Sequence, residues 1–221
     1  GPHIYMKIND FKNAAVLQFF PTTVWRQELP PARAQAVNGR LMAAIDALLS
    51  PRPPQPPGVG WQTEQDLHLR PEFADLAKVI TEAGEAALRS IDAEHNGVTI
   101  TGCWANINPP EARHRAHTHP NNYLSGVYYV RAPQGGNHIS ITDPRVQRTV
   151  MQPRFKKDSI LNASVINLEV ADGVMILFPS WLQHDVRRNA SNEERVTIAF
   201  NLMLNDYIET VSPPIWKPTA T

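Results

Sequence analysis

Hydrophobic and polar positions along this chain repeat with two periods, and the change falls near Gly97. Before it the period is helical. Ala34, Val37, Leu41, Ile45 and Leu48 recur at helical spacing behind Pro31, a residue suited to a helix start. That helix must end near Ser50, because Pro51, Pro53, Pro54, Pro56 and Pro57 cannot continue it and read as a stiff surface connection. A second helix opens at Pro71 with Phe73, Leu76, Ala77, Ile80, Gly84, Ala87, Leu88 and Ile91 on its apolar face, and is expected to stop around His95-Asn96-Gly97. Ahead of both, Val16 to Leu29, interrupted by Pro21, reads as an early strand at a sheet edge.

From Val98 onward the period is two. Val98–Asn108, Leu124–Val130, His138–Thr142, Val165–Val170, Val174–Phe178 and Arg195–Asn201 predict strands, with turns at Pro133-Gln134-Gly135-Gly136 and Asp172-Gly173. Residues 146–164 have little periodicity. A structureless stretch of that length inside a compact domain points to function, and a lid over a site is the expectation. Two helices followed by many strands predict a mainly β fold with flanking helices, a helical layer on a double-sheet jelly roll. The expected organisation is an N-terminal strand and helical layer over 1–97 and a core over 98–221, together one compact domain.

Charge and cysteine content narrow the setting. With 21 basic and 21 acidic residues the chain offers no basic footprint for nucleic acid or an anionic membrane. The single cysteine, Cys103, forms no internal disulfide and fits a reducing compartment. The longest early apolar patch, Ala14–Phe20, is too short and broken for a signal peptide, and nothing approaches the ~20 apolar residues that span a bilayer. Residues 1–5, ahead of Met6, are set aside as a processing or cloning remnant. The expectation is a soluble cytoplasmic protein without nucleic-acid or membrane partners, with a homodimer as the one assembly considered.

The chemistry-bearing stretch begins at His114. Three histidines fall within six residues, and His117 and His119 stand at i and i+2, the spacing that projects two side chains from one face of an extended strand. The preceding strand puts Ile100, Gly102, Trp104, Asn106 and Asn108 on one face, the wall of a polar cavity rather than of a core. His184 lies 65 residues past His119, after the apolar Ile176-Leu177-Phe178 and the Pro179-Ser180-Trp181 bend. Arg195 opens the last alternating run, and Thr197, Ala199 and Asn201 share its face, as Ser125, Val127 and Tyr129 share another. A close histidine pair, a distant histidine and an arginine on the next strand form the layout of a mononuclear iron site with a 2-oxoacid co-substrate. His68, His95 and His138 read as structural.

Several segments together carry a resemblance: Gly60-Trp61-Gln62-Thr63 with Asp66-Leu67-His68, Cys103-Trp104-Ala105-Asn106-Ile107, His117-Thr118-His119-Pro120-Asn121, Ser125-Gly126-Val127-Tyr128-Tyr129, Asp143-Pro144-Arg145 and Phe178 to His184. Over roughly residues 60–203 the chain resembles a bacterial and phage family of iron(II)/2-oxoglutarate oxygenases similar to the prolyl-hydroxylase group. The resemblance implies a double-stranded β-helix, iron(II), and 2-oxoglutarate as co-substrate. In that family's pattern, H-x-D/E, a distal histidine and a final-strand base, His117 matches the first ligand and His184 the distal one. Arg195 matches the group that grips the far carboxylate of 2-oxoglutarate, a task suited to a planar two-pronged guanidinium. Tyr129, second of a Tyr-Tyr pair, inherits a 2-oxoglutarate contact. Asn106, Ser125 and Thr197 join it as candidate co-substrate residues.

One position departs from the pattern, because His119 stands where a carboxylate belongs. Either His117, His119 and His184 form a three-histidine centre, or His119 is the first ligand with Asn121 in the carboxylate slot. Asp143, beside Pro144, is a weaker substitute. The reading is an iron(II)- and 2-oxoglutarate-dependent dioxygenase, a hydroxylase of a small molecule or peptide. Its rivals are a three-histidine dioxygenase of cupin type without a 2-oxoacid, and a non-catalytic jelly-roll metal-binding module. Arg145, Arg148, Arg154, Lys156 and Lys157 near the lid would suit an acidic substrate, although a solvated loop is the plainer account of them.

Overall fold

The computed structural model describes residues 14–210; residues 1–5, set aside above, lie outside that range. The elements run β1 (Trp25–Glu28), α1 (Pro31–Leu48), β2 (Trp61–Gln62), α2 (Ala74–Ser90), β3 (Val98–Asn108), β4 (His114–His117), β5 (Leu124–Arg131), β6 (His138–Thr142), β7 (Val165–Glu169), β8 (Val174–Pro179), β9 (His184–Val186), β10 (Arg195–Leu204) and α3 (Asn205–Thr210). One sheet has the order β1-β8-β5-β10-β3-β2 and the other β4-β9-β6-β7, with every pairing antiparallel. This is the double-stranded β-helix, or jelly roll, that the strand-rich second half predicted.

Alternation on the large sheet separates two kinds of burial. Outward-facing Cys103, Ala105 and Ile107 of β3, Val196, Ile198 and Phe200 of β10, and Tyr128 and Val130 of β5 join Leu41 and Ile45 of α1 and Leu76, Ile80 and Leu88 of α2 in one core. Inward-facing Tyr129, Ile176 and Phe178 meet Ile139 and Ile141 of β6 and Leu182 in a smaller core between the sheets. Much of the rest of the inner face is polar, with Asn106, Asn108, Ser125, Arg195, Thr197 and Asn201 all buried beside Trp104, Val127 and Ala199. Gly126 lies opposite Phe200 across the β5–β10 pair. A Cβ there would come within 2.6 Å of the Phe200 ring and 2.9 Å of the Ile176 carbonyl, so no side chain fits.

Three expectations shift in detail. On α1 the buried stripe is Ala34, Asn38, Leu41 and Ile45, and Leu48 is exposed. Asn38 enters it because its amide oxygen accepts the hydroxyl of the buried Tyr128 at 2.6 Å, which satisfies both polar groups. The second helix begins as a 3-10 turn over Pro71–Phe73 and stops at Ser90, short of His95. Asp92 takes a left-handed φ of 55°, and the Ala93 N–H reaches back to the Leu88 carbonyl, closing the helix before Gly97. Of Val16 to Leu29, only Trp25–Glu28 forms β1, at the edge of the large sheet and beyond Pro21.

Between β6 and β7 the chain forms a strap with one 3-10 turn at Val146–Thr149. Its neck is tied. Arg148 pairs with Asp143 and donates to the carbonyls of Asn162 at 2.9 Å and Ala163 at 3.2 Å, while the Asp143 N–H donates to Ser164. Its body exposes Val146, Val150, Met151 and Ile160. The proline connection is anchored too, because Arg52 bonds both carboxylate oxygens of Glu194 at 2.8 Å and lies over the Trp61 ring.

Candidate metal centre

His117 and His184 are register partners across β4 and β9, so antiparallel pairing alone brings their imidazoles to within 4.4 Å, centroid to centroid. His119 lies past the end of β4, in a turn held by its N–H donating to the Ser180 carbonyl at 3.0 Å. That turn swings its ring onto the other two. One ligand nitrogen from each of His117, His119 and His184 falls within 4.8 Å of the others. His119 Nε2 and His184 Nε2 are 3.3 Å apart, about the separation two imidazoles take on one ion at metal–nitrogen distances near 2.1 Å. Neighbouring groups fix the rings. The Leu182 carbonyl holds His184 Nδ1 at 3.0 Å, the Arg115 carbonyl holds His117 Nδ1 at 2.7 Å, and Trp104 and Phe178 pack against His119 and His184. A carbonyl on Nδ1 places the proton there and leaves Nε2 as a bare lone pair, the tautomer a metal requires.

Burial, with the neighbouring imidazoles, lowers His119 to about 4; burial chiefly, then His117, lowers His184 to about 4 against the pull of Leu182 and Asp185. Both rings are therefore neutral well into the acid range, ready to ligate without first losing a proton. The donor set, three imidazoles without a carboxylate, suits iron and other borderline divalent ions.

Below the triad the inner face leads to Arg195. A β-bulge between His114 and His117 lets both share His184's face, since His114 pairs with Val186. His114 Nε2 meets Asn108 Oδ1 at 2.9 Å, and Asn108 is the register partner of Arg195. Two residues of strand, about 7 Å, thus separate the level of the triad from that of Arg195. Arg195 is 1% exposed and has no acidic partner among the described residues. Its Nη1 donates to the Gly136 carbonyl at 3.1 Å, and its Nη2 is buried without a partner. A buried cation with a free N–H edge calls for an anion. Tyr129, Thr197 and Asn106 occupy matched register positions across β5, β10 and β3 on the same face. Burial pushes the Tyr129 phenol up, which keeps it a neutral donor.

Residues 102–201, most of the strand core and all of these groups, match the family described as "Putative 2OG-Fe(II) oxygenase". That stretch of the chain is similar to the 2OG-Fe(II) oxygenases. Solved structures share its fold at low identity. HygX from Streptomyces hygroscopicus, with nickel and 2-oxoglutarate bound, is 13% identical, with a TM-score of 0.57 over 83% of each chain. AviO1 from Streptomyces viridochromogenes is 14% identical, with a TM-score of 0.58 over 87% of this chain and 92% of its own. A prolyl-4-hydroxylase from Pseudomonas putida is 14% identical, with a TM-score of 0.55 over 82% of this chain and 92% of its own. No curated protein matches the sequence.

Within the strand core the other sequence-derived candidates take distinct places. Asp143 is drawn to Arg145 and Arg148, which hold its carboxylate far below the usual range, and it is not one of the clustered ligands. Asn121 is exposed in a turn with φ of 63°. Ser125 donates to Asn201 Oδ1 at 2.7 Å and so accepts from Ser180, whose carbonyl holds the His119 turn; Ser125 braces that turn from beneath. His68, His95 and His138 stand apart from the triad. His114 was missed by reasoning on strand parity, because the bulge that turns it inward leaves no periodic trace in the sequence. The nearest signal was the polar row Asn106 and Asn108 on the facing strand. No helix among the described residues is long and apolar enough to cross a membrane.

Proposed function

We propose that this oxygenase hydroxylates a small molecule or peptide, with His117, His119 and His184 as the metal ligands and Arg195 as the clamp on 2-oxoglutarate. Iron(II) with 2-oxoglutarate supplies dioxygen activation coupled to loss of carbon dioxide from the 2-oxoacid, with succinate as the second product. The chain's own residues bind and orient. Arg195 offers its unpartnered Nη2 edge to the distal carboxylate, Tyr129 and Thr197 offer hydroxyls beside it, and Asn106 an amide from β3. Ser125 acts through Ser180 and Asn201 to keep the His119 turn in place. The catalytic core is taken as 98–221, with 1–97 as its supporting layer. A small molecule is the preferred class, since the structural relative HygX has been crystallised with hygromycin B on the same fold. The buried free Cys103 suits a reducing, cytoplasmic setting.

The observation that carries this reading is Arg195, a buried guanidinium on the same inner face as a triad of imidazoles and whose own charge lacks a partner. The test is dioxygen uptake and succinate formation by the iron-loaded protein, in wild type and in Arg195→Ala. Losing a desolvated charge pair costs roughly 2–5 kcal/mol, so the 2-oxoglutarate requirement should rise by orders of magnitude at unchanged iron content. Uptake that needs no 2-oxoglutarate would instead favour a three-histidine dioxygenase of cupin type.

A further inference from the structure

A cavity lies at Arg195, at the end of the barrel remote from the triad. β9 runs away from the triad from His184 through Val186 to Arg187 and Arg188, and β5 delivers the chain to the Gly135-Gly136 turn at the same end. There a cavity of about 220 Å³ is lined by Arg187, Arg188, Arg195, His138, Asn167 and the Gly135-Gly136 turn. Tyr129, Thr197 and Asn106, the inner-face polar groups, take no part in it. His138 and Asn167 alternate with the inward Ile139, Ile141 and Leu168, so they reach it from the outer face of the small sheet. Arg195 lines this cavity and also belongs to the inner-face row with Thr197.

The lining is cationic and rich in donors. Arg187 has no acidic partner among the described residues, and Arg188 is held only by a solvent-exposed pair with Glu111. Asn167 accepts from Ser140 with its oxygen, which leaves its amide N–H groups free to donate. Glu169, opposite His138, is engaged by Asn137. The volume is below the roughly 300–1,000 Å³ of sites for drug-sized ligands, so the occupant is small.

We infer that this end cavity binds a small oxyanion, inorganic phosphate or a short polycarboxylate, and that the anion opposes 2-oxoglutarate binding through the shared Arg195. The opposition rests on Arg195 being the co-substrate clamp; the anion site does not. An anion against one side of a guanidinium lowers its pull on a carboxylate at the other side, a coupling that must act equally in both directions.

The test is calorimetric titration of the metal-free, full-length protein at low ionic strength, with inorganic phosphate and separately with citrate, in the absence of 2-oxoglutarate. One of the two should bind at one site per chain, and which one separates phosphate from carboxylate as the source. Arg187→Gln should weaken that binding by about tenfold, the loss of one charge-assisted contact. Its 2-oxoglutarate turnover without added anion should match wild type, and the anion should raise the 2-oxoglutarate KM in wild type more than in the variant. Failure of both anions to bind, or equal binding by Arg187→Gln, would overturn the site. A raised KM in Arg187→Gln without any anion would make the cavity part of the co-substrate pocket and overturn its independence. Anion binding that leaves the wild-type KM unmoved would overturn the coupling alone. Should Arg195 prove not to be the co-substrate clamp, the anion titration would still stand.

Discussion

In the proposed three-histidine centre, the side chain at position 119 decides how much negative charge meets the metal ion. An imidazole there leaves the centre one charge more positive than the usual two-histidine, one-carboxylate set, and the geometry already places its nitrogen 3.3 Å from that of His184. His119→Asp should therefore retain iron, with an affinity equal to or above wild type, whereas His119→Ala and His184→Ala should lose it. Metal content after desalting from a stoichiometric load measures this, and an iron-free His119→Asp would require imidazole at that position. The pairing of His117 with His119 was legible from their spacing, although for only part of the right reason. They meet because a turn held by Ser180 brings His119 back, not because one regular strand carries both. His114, three residues earlier, was illegible because a bulge overrode strand parity.

Among the elements, the strap between β6 and β7 leaves the sheet at the metal end, since Ile141, just before Thr142, is the register partner of His184. Lack of periodicity marked this stretch out in the sequence. What closes it was hidden, because Arg148 bonds backbone carbonyls 14 and 15 residues away, and a carbonyl has no residue identity to read. Arg148→Ala should ease local opening of the strap by roughly 1–3 kcal/mol, seen as faster amide exchange over 143–164, with β3 and β10 unaffected. Unchanged exchange there would mean that the neck is held by other contacts. The early stop of α2 was hidden for a related reason, because Asp92 in a left-handed conformation ends the helix as a glycine would, without being one. Limits of the large-sheet strands from Val98 onward were read closely, since burial there enforces the alternation that the sequence displays, whereas the short β4 and β9 of the small sheet left too brief a run to be marked out.

For the molecule as a whole, stability depends on how closely the large sheet packs, and Gly126 is its tightest point. Gly126→Ala would force a methyl against the Phe200 ring and the Ile176 carbonyl, costing roughly 1–3 kcal/mol and lowering Tm by about 2–12 °C. Iron bound per folded molecule should stay the same, because β4, β9 and the His119 turn lie elsewhere. A loss of iron in proportion to unfolded protein fits this account. A loss of iron at full stability does not.

The central strand β10 serves two masters. Val196, Ile198 and Phe200 face the helices, while Arg195, Thr197, Ala199 and Asn201 face the chamber, and the two sets alternate residue by residue. In a library of single substitutions screened for cellular abundance and, separately, for turnover, this strand should read as a comb. Even positions from 196 to 200 should lose abundance and odd positions from 195 to 201 should keep it while losing turnover. Two selective pressures would then be interleaved within seven residues, so a homologue that abandons this chemistry could redraw every second letter of this strand and leave its fold untouched.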